Sequence, residues 1–248
     1  MPETLYPLNI EAMINNPTGN KTSYVANRSM IKDQLYIRYK KLLQKNKTFK
    51  YEIYKGKSKY LFHFRIPSET FENSKFYYDV VLEFYPKDVE SEVSKSIKSY
   101  YINMYSNSPS FLFTYAYVIY QNNMSIKILN SKISKEARTT RPRIKNPVES
   151  YGFEKSCYYA CLFIKENNLL EKIYLDSHKS HFNKAKFLKG IKSCDEKLDE
   201  YNKYKKEESE KKKKEKKKAN KNKAVTIKKS KKVIMKANMK HDMSIKKK

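Results

Sequence analysis

The run from Lys75 to Tyr85, KFYYDVVLEFY, restricts the fold more than any other stretch of the chain. With a period of two, Phe76, Tyr78, Val80, Leu82 and Phe84 share one face, and Tyr77, Asp79, Val81, Glu83 and Tyr85 share the other. Aromatic and β-branched residues in alternation are the signature of a β-strand. A strand with one wholly apolar face belongs inside a sheet, with that face sealed against a core.

Two further strands precede it. Phe49, Tyr51 and Ile53 alternate along the first, Gly56 turns the chain, and Tyr60, Phe62, Phe64 and Ile66 alternate along the second with Leu61, His63 and Arg65. Connections this short favour antiparallel neighbours. Pro67-Ser68-Glu69 ends the second strand and Pro86 the third, so 49–85 reads as an antiparallel meander. Phe111 to Tyr120, FLFTYAYVIY, is apolar on both faces, and periodicity does not separate a buried strand from a buried helix. Its aromatic and β-branched content, with Pro109 just before it, favours a further central strand near 111–120.

Helical spacing appears elsewhere. Ile31, Leu35, Tyr39, Leu42 and Leu43 predict a helix after Ser29 as N-cap. Val89, Val93, Ile97, Tyr101 and Met104 predict a second from Asp88 to about Met104, and Met124 to Ile133 forms another short element. A third helix is expected at about Glu154–Glu166, a shorter one at Leu169–Leu175, and a last one from near Lys179 that fades past Leu198, Tyr201 and Tyr204. Arg138 to Pro147, RTTRPRIKNP, reads as a basic loop.

Composition divides this order. Apolar residues are frequent to about Lys192; residues 203–248 hold 21 lysines against 5 acids, a net +16 of the whole-chain +28. Such a segment buries too little apolar surface to offset the entropy of ordering, so disorder or solvated helix is expected. Pro2, Pro7, Pro17 and Gly19 mark residues 1–28 as an extended arm. The expected organisation is therefore an arm (1–28), one α+β domain (29–200) with an antiparallel sheet and helices mainly on one face, and a disordered basic C-terminal tail (201–248). No apolar run reaches the ~18 residues a membrane helix needs, and MPETLYPLNI lacks the pattern of a secretory signal. The odd count of 3 cysteines points to free thiols in a reducing compartment.

Three constellations bear on chemistry. Asp79 and Glu83 share a strand face with Lys87 beyond, but four residues of strand separate the carboxylates by about 13 Å, too far for one cation. Solvated strand carboxylates are the simpler reading. Cys157, Cys161, His178 and His181 are zinc-ligand types, yet the cysteines sit four apart in an apolar helical pattern, where cysteine acts as a small core residue. No metal or other cofactor is expected. With 4 glycines there is no phosphate-cradling loop, and the 4 histidines define no triad, so no catalytic residue is assigned.

The lysine run carries the strongest signal. Lys211, Lys212, Lys213, Lys214, Lys216, Lys217, Lys218, Lys228, Lys229, Lys231 and Lys232 would displace counterions from nucleic acid without reading its bases. Arg138, Arg141 and Arg143 add a second basic site. An anionic membrane surface, or mere solubility, is the alternative use of such charge.

Several segments resemble an uncharacterised group of tailed-bacteriophage virion proteins from A/T-rich phages of Gram-positive hosts. They are Ser106-Asn107-Ser108-Pro109-Ser110-Phe111 running into Thr114-Tyr115-Ala116-Tyr117, Pro67-Ser68-Glu69 before Tyr78-Asp79-Val80, and Asn146-Pro147 before Tyr151 and Glu154-Lys155. The resemblance spans about residues 17–170. It implies an assembly role, with other virion subunits and self-association as partners, and a location in the virion after assembly in the host cytoplasm. The expected function is thus a non-enzymatic virion structural protein whose basic tail contacts DNA. A free non-specific nucleic-acid-binding protein is the alternative, and a metal-dependent nuclease the third.

Overall fold

The computed structural model describes residues 9–15, 28–46, 48–56, 59–71, 76–86, 100–142, 154–175 and 182–215. The chain divides into two compact units, Met1–Glu200 and Tyr201–Lys248.

The first unit is α+β. Its sheet is a four-stranded antiparallel meander, β1 (Lys50–Lys55), β2 (Tyr60–Pro67), β3 (Tyr77–Tyr85) and β4 (Tyr101–Ser106), in that spatial order. Phe64 stands opposite Val80, and Val80 opposite Ser106. This register places Phe62, Phe64, Val80, Leu82, Phe84, Ile102 and Met104 on one face, all buried. As the alternation of 75–85 requires, β3 is an interior strand, buried at every position but its two ends.

Helix α1 (Ile10–Asn15) packs on α5 (Lys155–Glu166), as does α2 (Arg28–Asn46), and α5 lies on the apolar face of β2, β3 and β4. Phe163 of α5 is the pivot, with ring centroids 5.2 Å from Phe49, 5.8 Å from Tyr51 and 6.0 Å from Phe64. Full burial of one such side chain is worth roughly 1.5–3 kcal/mol. The ladder extends to α2 through Tyr39, 6.0 Å from Phe49 and 5.9 Å from Tyr159. Glu154 starts α5 by accepting the Ser156 and Cys157 N–H groups at 2.9 and 3.3 Å. Helix α6 is Leu169–Leu175.

Five expectations need correction. Phe111 to Tyr120 is helical, a π-turn at Phe111–Tyr115 followed by α3 (Ala116–Gln121). Ser108 Oγ accepts the Phe111 N–H at 3.0 Å, so Pro109 stands in the first turn after a capping serine, where its missing N–H costs nothing. Leu112, Ala116 and Ile119 then point inward at helical spacing, and Phe113 points out, 51% exposed. The fourth strand is instead β4, which takes Tyr101 to Met104 out of the helix expected at 88–104; pairing with β3 outweighs their helical spacing, and 87–99 lie outside the described residues.

Within the supposed arm, α1 buries Ile10, Met13 and Ile14, an i, i+3, i+4 set, and Asn9 Oδ1 caps it by accepting the Ala12 N–H at 2.9 Å. The last helix is broken. Helix α7 covers Lys184–Gly190, and residues 194–200 form another helix after a reciprocal capping box, in which Ser193 Oγ accepts the Glu196 N–H and Glu196 Oε2 accepts the Ser193 N–H. Lys179 lies outside the described residues. A 3-10 helix at Lys127–Lys132 and α4 (Lys135–Thr139) complete the unit, so Arg138 sits in a helix rather than in a basic loop.

The second unit is described to residue 215, and its residues 201–215 are helical.

Candidate functional site

The face of the sheet opposite α5 carries the polar residues that alternation leaves there: His63 on β2, Asp79 and Glu83 on β3, Asn103 and Tyr105 on β4. Residues 182–200 cover this face. Phe187 of α7 stands edge-on to His63 at 6.0 Å, and Cys194, 1% exposed, directs its Sγ to the Ser106 carbonyl at 3.6 Å. The polar groups are therefore shut away from water, and burial obliges them to find partners.

They do. Asp79 Oδ1 lies 2.9 Å from His63 Nε2, and Asp79 Oδ2 accepts from Asn107 Nδ2 at 2.9 Å. Asn107 closes a knot with the same residue: its Oδ1 accepts the Asp79 N–H at 2.8 Å, and its own N–H donates to the Asp79 carbonyl at 3.2 Å. The Lys192 carbonyl accepts from Asn107 Nδ2 at 3.3 Å and from Tyr105 Oη at 3.1 Å. Burial, with the Cys194 thiol next, holds the Tyr105 phenol well above its ordinary range. Further along, Glu83 Oε2 accepts from Asn103 Nδ2 at 2.8 Å and Glu83 Oε1 meets Lys59 Nζ at 3.3 Å.

The two carboxylates considered for a cation thus spend their oxygens on different partners. The described residues contain no group of three or more His, Cys, Asp or Glu side chains that could hold a metal ion. Lys87, His178 and His181 lie outside the described residues. Cys157 and Cys161 are buried in α5, and burial pushes both thiols up, so neither is a ready thiolate ligand.

Lys197 was not anticipated. Its side chain is 1% exposed, with Nζ 4.1 Å from the Phe76 ring centre, 4.7 Å from that of Tyr77 and 3.0 Å from Glu200 Oε2. Desolvation lowers its pKa, and Glu200 opposes that shift. The cation is held by two ring faces and one carboxylate, which pins residues 194–200 to the start of β3.

A second, half-buried cluster joins the loop after β2 to the helices. Glu69 accepts from Lys155 Nζ at 2.8 Å and from the Tyr159 hydroxyl, and Arg38 Nε stands 3.8 Å from it. Some of the residues that carry the phage resemblance fall on these joints, while Asn146, Pro147 and Tyr151 lie outside the described residues. Glu69, Asp79, Asn107, Ser108, Glu154 and Lys155 cap helices or tie elements together.

The proposed basic residues divide. Arg138 sets its guanidinium 5.0 Å from the Tyr120 ring centre, and its Nε is buried without a hydrogen-bond partner. Arg141 lines a cleft of about 280 Å³ with Phe113, Tyr117, Glu136 and Asp195, so acids share its setting. Lys211, Lys212, Lys213 and Lys214 are exposed on the helix of the second unit. Arg143, Lys216, Lys217, Lys218, Lys228, Lys229, Lys231 and Lys232 lie outside the described residues. Among the described residues, no helix is long and apolar enough to cross a membrane.

Compared with known proteins, the chain matches no family model, no curated protein and no solved structure.

Proposed function

We propose that this chain is a non-enzymatic bacteriophage virion or assembly protein, in which the α+β unit meets other subunits and the lysine-rich C-terminal segment contacts DNA without sequence preference. The observation that carries the DNA contact is charge: residues 203–248 hold +16 of the +28, with Lys211–Lys214 exposed to solvent. Lysines in such density release counterions from a phosphate backbone and give affinity that falls steeply with salt. The assembly role rests on the phage resemblance; Glu69, Asp79, Asn107, Ser108, Glu154 and Lys155 among its residues cap helices or tie elements together. Tyr36, Ile37, Tyr51 and Phe113, each at least 40% exposed, supply apolar area for subunit contacts. That Asp79 and Glu83 each have both oxygens engaged supports a non-enzymatic reading.

The test is co-sedimentation with assembled particles, alongside duplex binding by the full chain at low and high salt with magnesium present. Particle association together with salt-sensitive, uncut DNA is the expected result. A chain that binds DNA yet stays monomeric and off particles is the alternative, a free nucleic-acid-binding protein. Cleavage that disappears in Asp79→Ala, with folding checked by circular dichroism, would replace both with a nuclease.

A further inference from the structure

The two edges of the sheet differ. On β4 the outer side is occupied: the Met104 N–H donates to the Met124 carbonyl at 3.2 Å, beside a bridge between Met104 and Ser125. At the opposite edge β1 pairs with β2, and among the described residues no strand lies on its other side. Backbone direction alternates along an antiparallel strand, so every second residue turns its N–H and C=O to the same neighbour. The Gly56 N–H donates to the Lys59 carbonyl at 2.8 Å. With the β1–β2 register, this aims Lys50, Glu52 and Tyr54 at β2 and leaves the N–H and C=O groups of Phe49, Tyr51, Ile53 and Lys55 pointing outward. The strand has no proline, and Lys50, Tyr51, Glu52 and Lys55 are exposed. Such a row of outward backbone groups is a template for another strand.

The charges of the edge decide what it accepts. Edge lysines ordinarily oppose pairing. Here Lys50 stands opposite Arg65 of β2, a like charge, and has no counter-ion among the described residues. Glu52, two residues on and on the same face, accepts from the Tyr54 hydroxyl and has no cation among them. A second β1 laid antiparallel on the first can match outward groups in three central registers. Centred on Tyr51, Lys50 of each copy faces Glu52 of the other, and Phe49 faces Ile53. Centred on Glu52, the two glutamates collide; centred on Ile53, Glu52 faces Tyr54. Opposite charges directly across a strand pair stabilise it and like charges destabilise it. We propose that β1 is a self-pairing edge, on which a second copy of this chain adds its own β1 about a two-fold axis through Tyr51. The two four-stranded sheets then join into one, and the two-fold closes the assembly at a dimer. This deepens the proposed subunit contact and rests on that reading for its role.

The test is sedimentation equilibrium of the full chain over a range of concentrations at near-physiological salt. The wild type should show a monomer–dimer equilibrium. Lys50→Glu and Glu52→Lys move the net charge in opposite directions, yet each replaces two attractive pairs by two repulsive ones. Each should weaken the dimer on the order of tenfold, and the double swap Lys50→Glu with Glu52→Lys should restore it. Both positions are exposed, so these variants leave the core untouched. Cysteines then read the register. Facing residues of a hydrogen-bonded pair lie about 5.5 Å apart, within disulfide reach, so Tyr51→Cys should cross-link on oxidation. Ile53→Cys, its thiols about 13 Å apart along the strands, should not. The native cysteines are all buried. Tyr51 packs on Phe64 and Phe163, so the charge swap decides the matter if Tyr51→Cys fails to fold. A wild type that stays monomeric at every soluble concentration, a double swap no tighter than the single reversals, or a cross-link at 53 in place of 51 overturns the pairing. A dimer in this register that never joins particles leaves the pairing standing and removes the assembly role; a monomer that joins particles does the reverse.

Discussion

In the sheet, Asp79 holds His63 and Asn107 on its two oxygens, with the His63 and Asp79 side chains 4% and 2% exposed. In the C-terminal helix, Glu208 meets Lys212 at a similar distance, with the lysine 68% exposed. Both are polar contacts of good geometry. The difference is what water does when one partner is removed. On the helix, water and salt replace the lost partner, so an exposed pair is worth about 0–1 kcal/mol. Under residues 182–200 nothing replaces it, and the surviving group bears its full desolvation cost. Polar groups in the first place specify a structure; in the second they set solubility and long-range attraction.

Asp79→Ala should break this contrast most severely. It strands His63 and Asn107 in a closed interior and should cost about 1–3 kcal/mol for each group left unsatisfied, read as a lower denaturant midpoint. A loss below about 1 kcal/mol would mean that water reaches this face.

Acid should separate the two regions next. Burial pushes the Glu69 carboxyl up, but hydrogen bonds from Lys155 and Tyr159 and the nearby Arg38 outweigh it and hold the group below its ordinary value. Its stabilising contribution is therefore present above the unfolded glutamate pKa, about 4.3, and is lost as pH falls through the lower folded value. Glu69→Gln should be less stable than wild type at neutral pH, and the gap should close in acid. A gap independent of pH would deny the ionic role.

Glu208→Ala should do least. The midpoint should move by less than about 0.5 kcal/mol, and the helical signal should fall only slightly. A larger change would show that 201–215 depends on that pair.

Much of the fold was legible along the chain. Period-two alternation located β1, β2 and β3, and 3.6-residue spacing located α5 and α6 almost to the residue. These signals are local, because a half-buried strand or helix writes its buried face into its own sequence. Residues 111–120 have no polar face, so they carried no such signal; the deciding feature was Ser108 ahead of Pro109. The break before 194 also had a local mark, Ser193 and Glu196 at capping-box spacing.

By itself, then, the sequence determined the α+β class, the central strand, the position of Asp79 and Glu83 on one strand face, and the concentration of charge after residue 202. Only the tertiary structure decided that this face is closed. His63, Asn107 and the Lys192 carbonyl reach Asp79 or its partner from 16 to 85 residues away, and Lys197 reaches Phe76 and Tyr77 from the helix at 194–200. Periodicity records whether a residue faces a core. It holds no record of which distant donor will share that core, because desolvation acts between elements that meet only after folding.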